Sequence, residues 1–138
     1  RMAFAGMNYI AVFVAALAGF GVGAVWYGVF GKAWLDALGK SEDDIKGSGA
    51  AQALPFVTGL VADLVMAIML AGLMGHLGNI SIHGGLITGL FVWVGFVITT
   101  MGVNHAFSGA SPKLTAIDGG HWLAVLLVMG AIIGAIGV

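Results

Sequence analysis

The chain predicts an all-α integral membrane bundle of four transmembrane helices, and three observations carry that fold class. Four long apolar runs occupy residues 9–30, 54–74, 86–103 and 122–138 of the 138-residue chain. The composition is 60% hydrophobic and only 8% charged, against about 25% charged for an ordinary globular domain. The charges lie almost entirely in the gaps between the runs. A helix needs about 20 mostly apolar residues to cross a hydrocarbon core of about 30 Å. Lipid offers backbone amides no partner, so each run must satisfy its own hydrogen bonds as a helix. A β-barrel would alternate apolar and polar side chains, and these runs do not alternate. Residues 1–138 therefore read as one transmembrane domain.

The first helix is expected over 8–30. Arg1, the apolar stretch after it and Ala16-Leu17-Ala18 imitate a signal peptide with its cleavage site. The run nevertheless continues through Val25 into Trp26-Tyr27, an interfacial aromatic pair, which argues for an uncleaved span. Residues 31–52 hold three of the five basic and four of the six acidic side chains. Lys32, Asp36 and Lys40 repeat at i, i+4 opposite Trp34, Leu35 and Leu38, as in an amphipathic segment lying among headgroups. Ser41 followed by Glu42, Asp43 and Asp44 resembles a capped helix start.

The second helix is expected over 53–75, with Pro55 tolerated in its first turn. A tight turn from His76 to His83 leads to a third helix over 84–104. Ser111 then caps a fourth helix over 112–138, with Pro112 at its first position. The two longer loops carry Lys32, Lys40, Lys46 and Lys113, and the other side carries only Arg1. The positive-inside rule puts those loops in the cytoplasm and both termini on the periplasmic side of a bacterial inner membrane. Trp26, Tyr27, Trp34 and Trp122 would form an aromatic belt near the cytoplasmic face.

Small residues recur four apart on every helix. The first carries Ala15, Gly19 and Gly23, and the second Gly59, Asp63, Ala67, Ala71 and Gly75. The third carries Gly85 and Gly89, and the fourth Gly130 and Gly134. Such stripes let helix axes approach closely inside lipid. Packing within one bundle is the plain reading. The surplus of small faces also suggests self-association or docking onto a larger membrane complex. Gly59, Ala67, Gly130 and Gly134 are the candidate packing residues, and the Gly130/Gly134 face is the first candidate for an oligomer because no later helix covers it.

Asp63 is the one ionisable residue deep in a run, about 13 Å beyond Leu54 by helix rise. A charge at that depth costs at least about 2.5–3.5 kcal/mol on insertion scales. Asp63 is thus either a proton or ion site, or a carboxyl hydrogen-bonded to a neighbouring helix. The histidines fall in two pairs, His76 with His83 and His105 with His121. A helix-end histidine could ligate a metal, a haem or a chlorophyll. No His-x-x-His or Glu-x-x-His spacing supports a metal site, and each histidine reads as an interfacial hydrogen-bonder. Asn104, Lys113, Asp118 and His121 form a candidate polar cluster at the cytoplasmic ends of the last two helices, fit to hold an anion or to pin the loop.

Other classes find little foothold. Net charge is −1 with no basic stripe, so nucleic acid is not an expected partner. There is no cysteine, which removes disulfides, thiolate metal sites and thiol nucleophiles. Gly19-x-Gly21-x-Gly23 sits inside a membrane helix and opens no phosphate site. No enzymatic activity, cofactor or metal is expected.

Two motif blocks carry a family resemblance. Met7-Asn8-Tyr9, Trp26-Tyr27, Phe30-Gly31-Lys32-Ala33-Trp34 and Ser41-Glu42 lie toward the N-terminus. Asn104-His105-x-Phe107, Lys113-Leu114-Thr115 and Ile117-x-Gly119-Gly120-His121 lie toward the C-terminus. Together they resemble the bacterial DUF1761 family over nearly the whole chain from Met7. The resemblance implies a small four-helix membrane protein of undefined activity and supplies no catalytic residue. Asp63 lies outside both blocks. The expected role is a non-enzymatic structural or accessory subunit in the bilayer, and the alternative is a small proton-coupled transporter or channel using Asp63.

Overall fold

A computed structural model of the chain describes residues 6–138, which are helical with no strand among them. The elements are α1 (Tyr9–Leu38), a one-turn α2 (Glu42–Ile45), α3 (Ala50–Leu77), α4 (Ile82–Val92), a π turn (Trp93–Val97), α5 (Ile98–Ser108) and α6 (Pro112–Ile136). The segments α4, π turn and α5 form one continuous third span, Ile82–Ser108. Four helices are therefore long and apolar enough to cross a membrane. Arg1, on which the basic-residue count partly rests, lies outside the described residues.

Local chemistry sets most boundaries. The Asn8 side chain accepts from the Ala11 amide at 3.2 Å and starts α1. Ser81 and Ser111 do the same for α4 and α6, through Gly84 at 2.9 Å and Leu114 at 3.2 Å. Gly39, Gly78 and Gly109 end α1, α3 and α5 in the left-handed conformation. The Ser41 amide donates to the Asp44 carboxylate at 2.8 Å, closing the expected start of α2 and holding that carboxyl below the usual range.

One boundary differs clearly from the sequence reading. Residues 31–38 are not a separate headgroup segment, because α1 runs unbroken to Leu38. Nothing between Phe30 and Gly39 breaks the helix, and its last turns are docked. Trp34 meets the Tyr27 ring edge-on at 5.8 Å. Ser111 Oγ donates to the Ala37 carbonyl at 3.1 Å, and Lys113 pairs with Asp36 at 3.1 Å. These contacts also set the topology. The end of α1 and the start of α6 meet at one end of the bundle, so Lys32, Lys40, Lys46 and Lys113 gather there. Asn79 and the turn between α3 and α4 lie at the other.

Helix α6 is the centre of the bundle, packed between α1 and the third span, with α3 on the other flank of α1. The apolar core, including Val12, Ala15, Leu70, Met74, Met129 and Ile133, fills the half remote from the lysines. The small-residue stripes meet one another inside the chain. A Cβ on Gly85 would strike the Gly130 carbonyl, one on Gly130 the Gly85 carbonyl, and one on Gly134 the Ser81 carbonyl. A Cβ on Gly89 would lie 2.8 Å from the Leu126 carbonyl. Here α4 and α6 touch backbone to backbone. The Gly130/Gly134 face is consequently no free oligomer face: α4 covers it, because the third span folds back along the terminal helix.

The third span owes its π turn to local and distant partners. The Ile98 amide bonds the Trp93 carbonyl five residues back. Thr99 and Thr100 hydroxyls donate back to the Gly95 and Phe96 carbonyls at 2.9 and 2.6 Å, a pattern that bends helices. Beyond this turn the span diverges from α3. An open cavity of about 580 Å³ lies between them, lined by Met69, Leu73, Phe96, Thr100 and Asn104 among others.

Candidate functional site

The interhelical polar groups lie along one face of α1. Its stripe of Ala15, Gly19 and Gly23 continues one turn further to Tyr27. Ala15 is fully buried. At Gly19 a Cβ would lie 2.5 Å from Met129 Cε, 3.2 Å from Val125 Cγ1 and 3.7 Å from Asp63 Cγ. The absence of a side chain there lets α3 and α6 bring Asp63 and Met129 against α1. Asp63 is 4% exposed, and its Oδ1 has no hydrogen-bond partner. The second helix's stripe supplies this placement, since Ala67 and Ala71 on the same face are also buried, while Gly59 approaches Phe20.

At Gly23 a Cβ would lie 3.1 Å from His121 Nε2. The His121 ring tilts against Tyr27 at 5.0 Å and against Trp122 at 4.5 Å, and Nδ1 has no partner. His121 is 7% exposed and lies about 14 Å into α6 from Pro112. It is thus a buried group within the bundle and not the interfacial hydrogen-bonder the sequence suggested, because α1 closes over it at Gly23. His105 does match that description, with Nδ1 2.7 Å from Thr115 Oγ1.

Tyr27 donates to Asp118 at 2.6 Å, a short hydrogen bond to a carboxylate. Two indoles flank this pair. Trp26 Nε1 donates to the Ile117 carbonyl at 3.0 Å, and Trp93 Nε1 donates to the Gly119 carbonyl at 2.8 Å. Three consecutive residues of α6 are therefore gripped by aromatic side chains of α1 and the π turn. The glycine pair makes this possible. A Cβ on Gly120 would lie 2.9 Å from the Trp26 ring, and one on Gly119 would lie 2.7 Å from Ile98 Cδ1.

The polar cluster expected of Asn104, Lys113, Asp118 and His121 does not form as one unit. Asp118 and His121 share Tyr27. Lys113 turns outward to Asp36 in an exposed ion pair, and Asn104 is exposed on the cavity beside α3. Depth along the helix separates them: Lys113 lies in the first turn of α6, whereas Asp118 and His121 lie further in, against Tyr27 of α1. The placement of Asp63 and His121 on neighbouring turns of one α1 face was missed, as was Trp93. A tryptophan inside an apolar run needs an acceptor for its N–H, and that was the available signal.

Comparison with known proteins adds the family. No curated protein and no solved structure matches the chain. The model of DUF1761, described as a protein of unknown function, matches residues 10–134, which include the Gly19/Gly23 stripe, Asp63 and the gripped turn of α6. The chain belongs to the DUF1761 family.

Proposed function

We propose that this membrane protein moves protons, or a solute coupled to them, through its own bundle, with Asp63 as the titrating group. The observation that carries the reading is a carboxyl at mid-span, 4% exposed, with Oδ1 unpartnered. A purely structural carboxyl would be hydrogen-bonded to a neighbouring helix, because an unmet buried polar atom costs about 1–3 kcal/mol. Ionisable residues inside membrane spans commonly mark proton relays and ion paths. The role is non-enzymatic. The lysine-bearing end faces the cytoplasm of a bacterial inner membrane, with both termini outside, as the basic loops favour.

The test is transport. Purified chain in sealed vesicles carries a proton flux down an imposed gradient, and Asp63→Asn abolishes it. Equal silence of both proteins across gradients and solutes removes the reading.

A subunit role keeps one observation in its favour, on a different surface from Gly130 and Gly134. Gly21 and Gly28 face outward from α1 with open space around them, beside a shallow hollow of about 390 Å³ lined by Val25, Trp26, Val29 and Phe30. In this reading α1 carries self-association. Gly21→Leu with Gly28→Leu then disperses a complex on a native gel, and unchanged migration counts against it.

A further inference from the structure

Gly19 and Gly23 stand one turn apart on α1, about 6 Å along its axis. Each has an ionisable neighbour from a different helix: at Gly19 Asp63 of α3, beside the nearer Met129 and Val125 of α6, and at Gly23 His121 of α6. One turn further, Tyr27 touches the His121 ring and hydrogen-bonds Asp118. Read toward the lysine-bearing end, this single face of α1 meets Asp63, then His121, then the Asp118–Tyr27 pair. Among the described residues the buried side-chain atoms with no hydrogen-bond partner are two, Asp63 Oδ1 and His121 Nδ1, and both belong to this file. The glycine gaps of α1 admit both side chains, and groups that bond in alternation, as a proton arrives and leaves, have such bare atoms between events.

We infer that His121 is a second proton-exchanging station, through which Asp63 communicates with the Asp118–Tyr27 pair at the lysine-bearing end. The inference rests on the proton-moving reading of Asp63 and names its route. A proton delivered by hydronium to Asp118 passes to one nitrogen of the neutral His121 ring, restoring the carboxylate that Tyr27 bonds. The imidazolium then releases the proton on its other nitrogen, through water admitted between the two groups, to the Asp63 carboxylate. Asp63 becomes a neutral acid and His121 returns to neutral as the opposite tautomer, so the protein holds one added proton and one added positive charge until Asp63 releases that proton on the far side. The two ring nitrogens suit this task, Nε2 facing α1 at Gly23 and Nδ1 lying unbonded. The ionisable groups beside His121 are Tyr27 from α1 and Asp118 from its own helix; Asp63 of α3 stands one turn of α1 away, at Gly19 with Val125 and Met129. The third span contributes Trp93 and Ile98 beside Gly119, neither of which titrates. The exposed Lys113–Asp36 pair lies further out. The flexible end of Met129, packed over Gly19, covers the Asp63 end of the file.

The experiment compares wild type, His121→Gln and Asp63→Asn in vesicles with an internal pH dye. His121→Gln is expected to lower the flux at least tenfold, and added imidazole to restore part of it. Asp63→Asn is expected to be silent with or without imidazole. Wild-type flux and an unchanged pH profile in His121→Gln, beside a silent Asp63→Asn, overturn the His121 station and leave Asp63 standing. Wild-type flux in both variants overturns the proton-moving reading itself. A second measurement is independent of flux: the His121 imidazole is titrated by nitrogen NMR in the full chain. Asp63→Asn is expected to move its midpoint by at least about 0.3 pH unit, as for charges a helix turn apart. An unmoved midpoint overturns the coupling.

Discussion

Asp63 is held at 4% exposure with a bare carboxyl oxygen, and such a group weakens the fold it sits in. Asp63→Ala continues the Ala67/Ala71 pattern and removes the unmet polar atom, so thermal unfolding in detergent should occur at an equal or higher temperature. The gain is bounded by about 1–3 kcal/mol, less the small void left behind. A drop of several degrees would mean that the carboxyl is a structural hydrogen-bonder. Asp63 was legible in the sequence as a candidate because it is the one ionisable residue deep in an apolar run, while the choice between proton site and structural hydrogen-bonder was not. His121 was only half legible: its distance from Pro112 could be counted, but the helix that would close over it could not. Gly119-Gly120 showed as a motif, while its purpose depends on Trp26 and Ile98, which arrive from other spans.

At the scale of elements, the closest seam is between α4 and α6. Gly85→Ala should cost about 1–3 kcal/mol of bundle stability, the usual range for overpacking. Gly21→Ala, with nothing within 4 Å of its added carbon, should cost nothing measurable. Unfolding of both variants by denaturing detergent checks the contrast, and equal effects would deny the seam. Trp93→Phe removes the donor to the Gly119 carbonyl and should cost about 0.5–1.5 kcal/mol in the same assay. The spans themselves were plain from hydropathy, and the serine and asparagine caps from local sequence. The π turn was not, since Trp93 reaches for an acceptor 26 residues away. Nor was the length of α1, whose last turns depend on Ser111 and Lys113. The Lys113–Asp36 pair is exposed by 52% and 79%, so it marks the docking of those turns more than it stabilises them.

For the whole molecule, the arrangement of ends can be read by labelling. The chain has no cysteine, so single cysteines introduced for Lys46, Lys113 and Asn79 report without background. Membrane-impermeant maleimide should reach the first two from one side of oriented vesicles and the third from the other. Labelling of Lys46→Cys and Lys113→Cys from opposite sides would break the topology. How the four rods pair was hidden in the sequence for a physical reason. Every span carries a small-residue stripe, and stripes of such similar chemistry do not name their partners.

The unequal seams of this bundle assign its parts different mechanical duties. Two rods joined main chain to main chain along Gly85, Gly89 and Gly130 behave as one stiff plank. The rod bearing Asp63 rests chiefly on α1 and stands apart from the third span across an open cleft. If Asp63 moves protons as proposed, the motion that wets its carboxyl falls to that rod, swinging against a stationary frame. Tying Met69 to Phe96 across the cleft with an engineered crosslink would stop the swing without touching a single ionisable group.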